Sequence, residues 1–458
     1  MTRYFFIRAG FVLLICSAFS LAVAYGQSDS PTMTADPQIA AALKQVSATR
    51  IQANIEKLVS FQTRLTLSAQ DSASITAGHG IGAAREWIKS QFESYSRDCG
   101  GCLEVKTDDF VQQPADRIPQ AITITNVYAM LKGTDPENAK RIVLVTGHYD
   151  SRNSDTFDAV GGAPGANDDA SGTSVSLECA RVLSKLKFRA TIVFLTVAGE
   201  EQGLNGSDHF AKMAKSEGWN LEAVLNNDIV GGDRSPGQDP STVRLFSEGI
   251  PQSASEQDVN RIRGLGGESD SPSRQAARYV AETARTYDVG VKPMLIFRLD
   301  RYLRGGDHRS FNDQGFAGVR FTEFRENYNH QHQNVRTENG VEYGDLPKFV
   351  NYDFVARVAR LNAATLASLA SSPAPPTKVR VQTKELQNDT TLTWESTPGA
   401  SYEVLWRVTT SPEWEHVQTV GKVTKATLPM SKDNVIFAVR STDDNGHKSL
   451  PVVPLPER

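Results

Sequence analysis

The chain has 458 residues, of which 39% are hydrophobic and 22% are charged, and its formal net charge is −4. This length allows two or three domains with a sizeable core. The slightly acidic balance excludes an electrostatic signature for nucleic acid or an anionic membrane, so we expect neither partner.

The N-terminal residues 1–26 have the pattern of a secretory signal peptide. Arg3 and Arg8 precede an apolar core at residues 9–24, and small residues follow at a plausible cleavage site. The alternative is an uncleaved anchor, but the apolar stretch is short for a membrane span. We therefore expect export, to the periplasm or the outside, with no stable membrane anchor after processing. The polar residues 28–36 are expected to be disordered.

Three cysteines remain after removal of this signal: Cys99, Cys102 and Cys179. Cys99-Gly100-Gly101-Cys102 in an exported chain predicts a disulfide across a small loop. A zinc knuckle would need a second cysteine pair, and a redox site would need a βαβ context that the pattern does not provide. Cys179 falls in an apolar helical pattern and is expected to be a buried free thiol.

The middle of the chain alternates between strand and helix patterns. Apolar residues recur at helical spacing between residues 37 and 95. Strands are predicted at residues 123–131, 141–146, 191–198, 223–225 and 317–322. Helices are predicted at residues 171–186, 207–216, 273–287 and 352–370. This alternation predicts an α/β fold with a doubly wound, mostly parallel sheet flanked by helices, in a domain spanning residues 37–370.

The C-terminal part has a different pattern. A Ser/Pro-rich linker is predicted at residues 371–376. Beyond it, short alternating strands are predicted at residues 379–383, 390–395, 402–406, 416–420 and 435–441. They predict a small all-β sandwich over residues 377–458, and its strand sequences resemble a fibronectin type III domain. The segment lacks a cluster of catalytic residue types, so we expect an accessory module that binds a surface or polymer partner.

Residues 191–206 are the stretch around which the rest is organised. The predicted strand is a continuous apolar run, typical of a strand buried on both faces of a parallel sheet. It ends in Gly199-Glu200-Glu201, and carboxylates there must be paired, coordinated or functional because an isolated buried charge is costly. Adjacent side chains in an extended segment point in opposite directions, so one glutamate can bind a metal while the other faces a substrate.

Other metal-binding residue types follow the other predicted strands or lie in a neighbouring Gly-rich loop. These residues are His148, Asp150, Asp168, Asp169, Asp228, His330 and His332. Ligands bind at the carboxyl ends of the strands in open parallel sheets, and imidazoles and carboxylates suit Zn²⁺. The sequence therefore predicts a metal centre at one sheet edge.

The order and spacing of three motifs resemble the co-catalytic zinc aminopeptidases secreted by Vibrio and Streptomyces. The motifs are His-Tyr-Asp-Ser at 148–151, Asn-Asp-Asp-Ala-Ser-Gly at 167–172 and Gly-Glu-Glu-x-Gly-Leu at 199–204. The resemblance covers about residues 83–370. It implies a dizinc exopeptidase with two Zn²⁺ per chain and peptide substrates that carry a free N-terminus.

The resemblance also implies roles for individual residues. His148 and Asp228 would bind the first zinc, and Asp168 would bridge both metals. Glu201 would bind the second zinc, and Glu200 would be the general base. Asp150 would hold the imidazole of His148, as metal-bound histidines generally require.

The resemblance also implies a last ligand, a histidine after a late strand. We favour His332 for this role, with His330 as the alternative because both lie in the same stretch. His308 matches an Asp-His pair of the family and is expected to belong to a loop or the substrate pocket rather than to bind metal.

These residue types define a hydrolytic reaction. Two zinc ions that share a carboxylate and a water lower the pKa of that water, and a glutamate that is not a ligand takes its proton. Two enzyme alternatives share the fold, a carboxypeptidase and a single-zinc glutaminyl cyclase. A third hypothesis is a catalytically inactive binding protein, but such a protein would have lost a metal ligand or the general base.

Overall fold

The computed structural model describes residues 31–457. The predicted signal peptide at residues 1–26 lies outside this range. Among the described residues, none of the helices combines the length and the apolarity that a bilayer span requires.

The described chain contains ten α-helices. They are α1 (Pro37–Leu43), α2 (Ala48–Val59), α3 (Ser72–Ala77), α4 (Gly80–Asp98), α5 (Ala170–Leu183), α6 (Asn205–Ser216), α7 (Glu256–Gly264), α8 (Pro272–Tyr287), α9 (His308–Asp313) and α10 (Tyr352–Ser371). Several begin at a residue whose side chain accepts a hydrogen bond from the first turn, as Asp169 does for α5 and Asn351 for α10. The four helices predicted after residue 170 are confirmed, with ends shifted by three residues at most.

The large sheet has eight strands. They are β1 (Leu103–Gln112), β2 (Ile122–Leu131), β3 (Arg141–His148), β4 (Thr191–Val197), β5 (Asn220–Asn227), β6 (Thr242–Ser247), β7 (Lys292–Ile296) and β8 (Gly318–Glu323). Their order is β1-β2-β4-β3-β5-β8-β6-β7. The central strands β4, β3, β5 and β8 are parallel. The sheet is mixed because β2 runs antiparallel to β4 and β6 runs antiparallel to β8.

Alternate residues of the central strands face two separate hydrophobic cores. Val143 and Val145 of β3 face the core that contains α5 and α10. Leu144 faces the opposite core, which contains Phe210 of α6 and Phe311 of α9. The sheet is therefore covered on both faces, which explains why its central strands are continuous apolar runs.

The C-terminal residues form two small sheets around one core. One sheet has the order β15 (Lys425–Leu428), β12 (Thr390–Glu395), β11 (Thr377–Gln382), β17 (Leu455–Glu457). The other has the order β14 (His416–Gly421), β13 (Ser401–Val408), β16 (Val435–Thr442). The core between the two sheets contains Leu392 and Trp394 of β12, which pack with Tyr402, Val404 and Val439 of the other sheet. The short hairpin of β9 (Arg336–Glu338) and β10 (Val341–Tyr343) lies between β8 and α10 in the chain.

The two parts of the molecule are joined by buried ion pairs. Arg440 of β16 is fully buried and contacts Glu282 of α8 at 2.8 Å and Glu403 of β13 at 2.9 Å. Arg407 contacts Asp270, which precedes α8, at 2.7 Å. Arg141 donates to the carbonyl of Ser372 at 2.7 Å, so the predicted linker is anchored to the large sheet.

The expectation that residues 28–36 are disordered is wrong for the part that the structure describes. Met33 is buried in the main hydrophobic core. Lys448 donates to the carbonyl of Thr32 at 2.7 Å, and the Asp36 carboxylate lies 2.9 Å from Nε2 of His447. The polar composition of this segment is matched by polar partners from the C-terminal sheets.

The predicted cysteine chemistry is confirmed. Cys99 and Cys102 form a disulfide in the connection between α4 and β1. Cys179 of α5 is buried and unpaired, and burial raises the pKa of its thiol well above the ordinary value.

Candidate metal centre

The candidate residues lie at the carboxyl ends of the four central strands. His148 is the last residue of β3, Glu200 and Glu201 follow β4, and Asp228 follows β5. His332 follows β8, and Asp168 ends the Gly-rich loop before α5. Because these strands are parallel, their ends meet at one edge of the sheet.

Six side chains form two groups of potential metal ligands. His148, Glu200 and Asp228 make the first group, and Asp168, Glu201 and His332 make the second; within each group the ligand atoms lie within 4.8 Å of one another. The adjacent Glu200 and Glu201 belong to different groups, as the opposite directions of neighbouring side chains predict.

Asp168 connects the two groups through its two carboxylate oxygens. Oδ1 lies 3.2 Å from Nε2 of His148, and Oδ2 lies 2.9 Å from Nε2 of His332. Nε2 of His332 is also 3.1 Å from Oε1 of Glu201. One carboxylate therefore faces one histidine of each group, which is the arrangement that a bridging ligand requires.

The donor set fits zinc. His148 Nε2 and Glu201 Oε1 are buried, and within residues 31–457 neither has a hydrogen-bond partner of acceptable geometry. Buried polar atoms are nearly always satisfied, so these two atoms are available to bind a cation. Imidazole nitrogens and carboxylate oxygens in groups of three are the ligands of catalytic zinc sites.

A second layer of carboxylates holds the backbone of the centre. Oδ1 of Asp150 lies 3.4 Å from Nδ1 of His148, and its Oδ2 accepts a hydrogen bond from the Glu201 N–H at 3.1 Å. Asp169 accepts from the His148 N–H at 3.0 Å, and Asp345 accepts from the Asp168 N–H at 2.7 Å. These contacts fix the ends of β3 and β4 and the Gly-rich loop before α5. The peptide bond between Asp168 and Asp169 is cis.

The two candidate histidines after β8 have different surroundings. His332 lies in the second ligand group, whereas His330 bonds to the Asp233 carboxylate and stacks on Phe349 at 3.6 Å between ring centroids. His308 is buried outside both groups, with Nε2 2.9 Å from the carbonyl of Leu299.

Sequence reasoning missed two arginines that contact the ligand carboxylates. Arg152 lies 2.9 Å from Oε2 of Glu201 and 2.6 Å from Nδ1 of His332. Arg320 of β8 is fully buried and lies 2.8 Å from Oδ1 of Asp228. Arg152 had a weak signal, its position four residues after His148. Arg320 had no such signal, because a single arginine in an apolar strand is also typical of a strand at the solvent-exposed edge of a sheet.

The crowding of charges shifts several pKa values. Burial lowers the pKa of His148, but the carboxylates of Asp150 and Asp168 outweigh it and hold this pKa well above the ordinary value. Burial raises the pKa of the Glu200 carboxyl well above its usual range, and the carboxylates of Asp228 and Glu201 add to the effect. Perturbed groups that converge at a strand edge indicate a functional site.

Comparison with known proteins identifies the family. Residues 126–339 match Peptidase family M28. A probable zinc metalloprotease of Leptosphaeria maculans is 47% identical over 427 residues, which cover 92% of this chain and 97% of that protein. The chain belongs to peptidase family M28. A probable zinc metalloprotease of Pyrenophora tritici-repentis is also 47% identical, over 92% of this chain and 87% of its own length.

Solved structures show the same fold. The LapA aminopeptidase of Legionella pneumophila is 20% identical and superposes with a TM-score of 0.51 over 76% of this chain and 78% of its own. LapB of the same organism is 19% identical, with a TM-score of 0.51 over 75% and 78%. The M28 chain described here is thus a zinc metallopeptidase with the α/β fold that the sequence predicted.

Proposed function

We propose that this M28 peptidase is an exported dizinc aminopeptidase of the type secreted by Vibrio and Streptomyces. His148, Asp168 and Asp228 would hold the first zinc, and Asp168, Glu201 and His332 would hold the second. The observation that carries the proposal is the position of Asp168, whose two oxygens face the histidines of both ligand groups. A site for one metal would not need a carboxylate shared in this way.

Glu200 is proposed as the general base. Its residue is less buried than Asp168, Glu201 and Asp228, so Glu200 can reach both a water and a substrate. When bound, the zinc ions supply the positive charge that lowers the pKa of the attacking water and polarises the scissile carbonyl. Glu200 then accepts the proton of this water and delivers it to the leaving amine.

The alternatives differ in how they use the same residues. A glutaminyl cyclase with one zinc would leave one ligand group without a function, and a non-catalytic binding protein would have lost a ligand or the base. The chain retains His148, Asp168 and Glu200, which supports two metals and hydrolysis. A carboxypeptidase would keep both metals and differ in the end of the peptide that it recognises.

The proposal extends to the organisation of the chain. Residues 1–26 would be a signal peptide, residues 37–370 the peptidase domain and residues 371–376 the linker. Residues 377–458 would be a fibronectin type III-like module with a surface or polymer partner. The disulfide between Cys99 and Cys102 supports export, because disulfides persist in oxidising compartments.

A pair of substrates tests the activity. Leucine p-nitroanilide and its N-acetylated form should be assayed after chelation and again after zinc is restored. We expect zinc-dependent cleavage of the free amine alone. Cleavage of both substrates, or of neither, would refute the aminopeptidase proposal and direct the work to carboxypeptidase, cyclase and binding assays in that order.

A further inference from the structure

A network of arginines and carboxylates lies beside the first ligand group and includes one of its members, Asp228. Its members are the guanidinium groups of Arg244, Arg301, Arg304 and Arg320 and the carboxylates of Asp228, Asp300 and Glu326. The carboxylates are almost fully buried, with 2–3% of their side chains exposed, and each contacts at least one guanidinium group.

Arg304 is the open member of the network. Its side chain is 33% exposed, whereas those of Arg244, Arg301 and Arg320 are 18%, 9% and 0% exposed. Nη1 of Arg304 contacts Glu326 at 2.8 Å. Within residues 31–457, its Nε and Nη2 have no hydrogen-bond partner. The guanidinium group therefore retains two adjacent donor nitrogens, Nε and Nη2, for an external acceptor.

Arg304 also lies within electrostatic reach of both ligand groups. Burial lowers the pKa of its guanidinium group, but the carboxylates of Glu326, Asp168 and Asp228 outweigh this effect and raise the pKa. Gly306, two residues further along the loop, packs so closely that a Cβ there would lie 3.0 Å from Oδ2 of Asp228. The loop that carries Arg304 therefore borders the metal centre directly.

We infer that Arg304 binds a substrate carboxylate next to the scissile bond and makes this peptidase selective for such substrates. The inference rests on the proposed aminopeptidase function. A guanidinium group with two adjacent free donors matches the planar oxygens of a carboxylate. The carboxylate could be the C-terminus of a dipeptide or the side chain of an Asp or Glu that follows the removed residue.

Two matched substrate pairs separate these sources. The first pair is the dipeptide Leu-Ala with a free carboxylate and the same dipeptide as its amide. The second pair is the amide of Leu-Asp-Ala and the amide of Leu-Asn-Ala. We expect the zinc-loaded enzyme to prefer the anionic member of at least one pair by about tenfold in kcat/KM at low ionic strength, mainly through KM. The preference should shrink in about 0.5 M NaCl because the charge is partly exposed.

Variants assign the preference to one residue. Arg304→Gln removes the charge while Arg244 and Arg301 still neutralise Glu326, and it should bring the preference close to one. Arg304→Lys should restore part of it. Arg261→Gln, which removes an exposed arginine of α7, should keep the full preference.

Binding gives a readout that does not depend on turnover. In the zinc-loaded Glu200→Gln protein, calorimetry should show tighter binding of Leu-Ala than of its amide, and the added Arg304→Gln change should remove the difference. Equal handling of both pairs by the wild type, or a preference that survives Arg304→Gln, would overturn the inference and leave the aminopeptidase proposal intact. Failure to cleave any of the four substrates would instead refute the aminopeptidase proposal, and this inference with it.

Discussion

The metal centre and the contact between the peptidase fold and the C-terminal sheets both bury charges, but they treat them differently. In the contact region, each buried carboxylate has a cationic partner from the chain, as Glu403 has Arg440 and Lys448. In the metal centre, carboxylates and imidazoles instead converge on one another, as Asp168 and Glu201 both face the ring of His332. Carboxylates paired with Arg or Lys are neutralised within the chain, whereas clustered carboxylates and imidazoles form the kind of donor set that binds an external cation.

The largest expected effect is on turnover. Glu200→Gln should lower kcat by about 10²–10⁴-fold, the range for loss of a general base, while zinc content and fold are kept. Steady-state kinetics and metal analysis of the same preparation test this. The comparison variant Glu201→Gln should lose zinc from one site. Loss of zinc in Glu200→Gln instead would mean that the roles of the two glutamates are reversed.

The next effect concerns the contact region. Arg440→Met leaves Glu282 and Glu403 with one cationic partner fewer in a buried position and should lower the free energy of unfolding by about 3–5 kcal/mol. Urea denaturation measures the change. Lys378→Met, which removes an exposed pair with Glu395, should leave the free energy of unfolding nearly unchanged. Similar losses in both variants would contradict the distinction between buried and exposed pairs.

Metal removal tests the other side of the comparison. Zinc at 100-fold above its dissociation constant should stabilise the folded state by about 2.7 kcal/mol for one site, because the unfolded chain lacks the assembled ligands. The thermal midpoint should fall on chelation and recover on adding zinc. If the centre holds the two proposed zinc ions, Asp168→Asn should reduce the bound zinc to fewer than one ion per chain. A midpoint that does not respond to chelation would argue against a cation in the centre.

The smallest effect is a pH dependence at His447. Its ring nitrogens face Asp443 at 3.1 Å and Asp36 at 2.9 Å, and hydrogen bonds with Asp443 and Asp36 outweigh burial and raise the pKa of the imidazole. A raised pKa stabilises the fold fully below the unfolded value of about 6.5, and this contribution disappears as pH rises through the folded pKa. Arg189, 2.9 Å from Asp443, is the other charge at this contact.

The corresponding variant is His447→Gln. It should be less stable than the wild type at about pH 6, by about 0.5–1 kcal/mol, and nearly equal to it at high pH. Thermal midpoints of both proteins across this range give the comparison. A difference that grows as pH rises would have the wrong sign and would exclude an imidazolium at this position.

The regular parts of the fold were predictable because burial on two faces leaves a strong pattern. The strand predicted at residues 191–198 is β4 (Thr191–Val197), and the last helix matches α10 within one residue. Strands β1, β6 and β7 were missed. β1 carries four charged residues in its ten and forms a sheet edge, so it lacks an apolar signal. Pairing direction cannot be read from such strands, which is why the antiparallel borders of the sheet were not anticipated.

In the candidate site too, local sequence patterns predicted some residues and not others. Glu200, Glu201 and Asp228 come directly after apolar strands whose ends are visible in the sequence. Their residue types and positions therefore predicted a metal site. Arg304 and Arg320 act through partners that are distant in sequence, such as Glu326 and Asp228. No local motif announces a contact of this kind. The proposed selectivity for anionic substrates therefore depends on the position of the loop before α9 beside the ligands, which no local sequence pattern gives.

The docked N-terminal segment has a consequence for the lifetime of the enzyme itself. An exopeptidase of the proposed kind meets N-termini of its own copies in every solution in which it works. Thr32 and Asp36 are held by Lys448 and His447, so this stretch must detach before it can extend into another molecule's centre. Self-digestion by such an enzyme should therefore stop near Thr32, where the first contacts of the described segment hold it against the C-terminal part of the molecule.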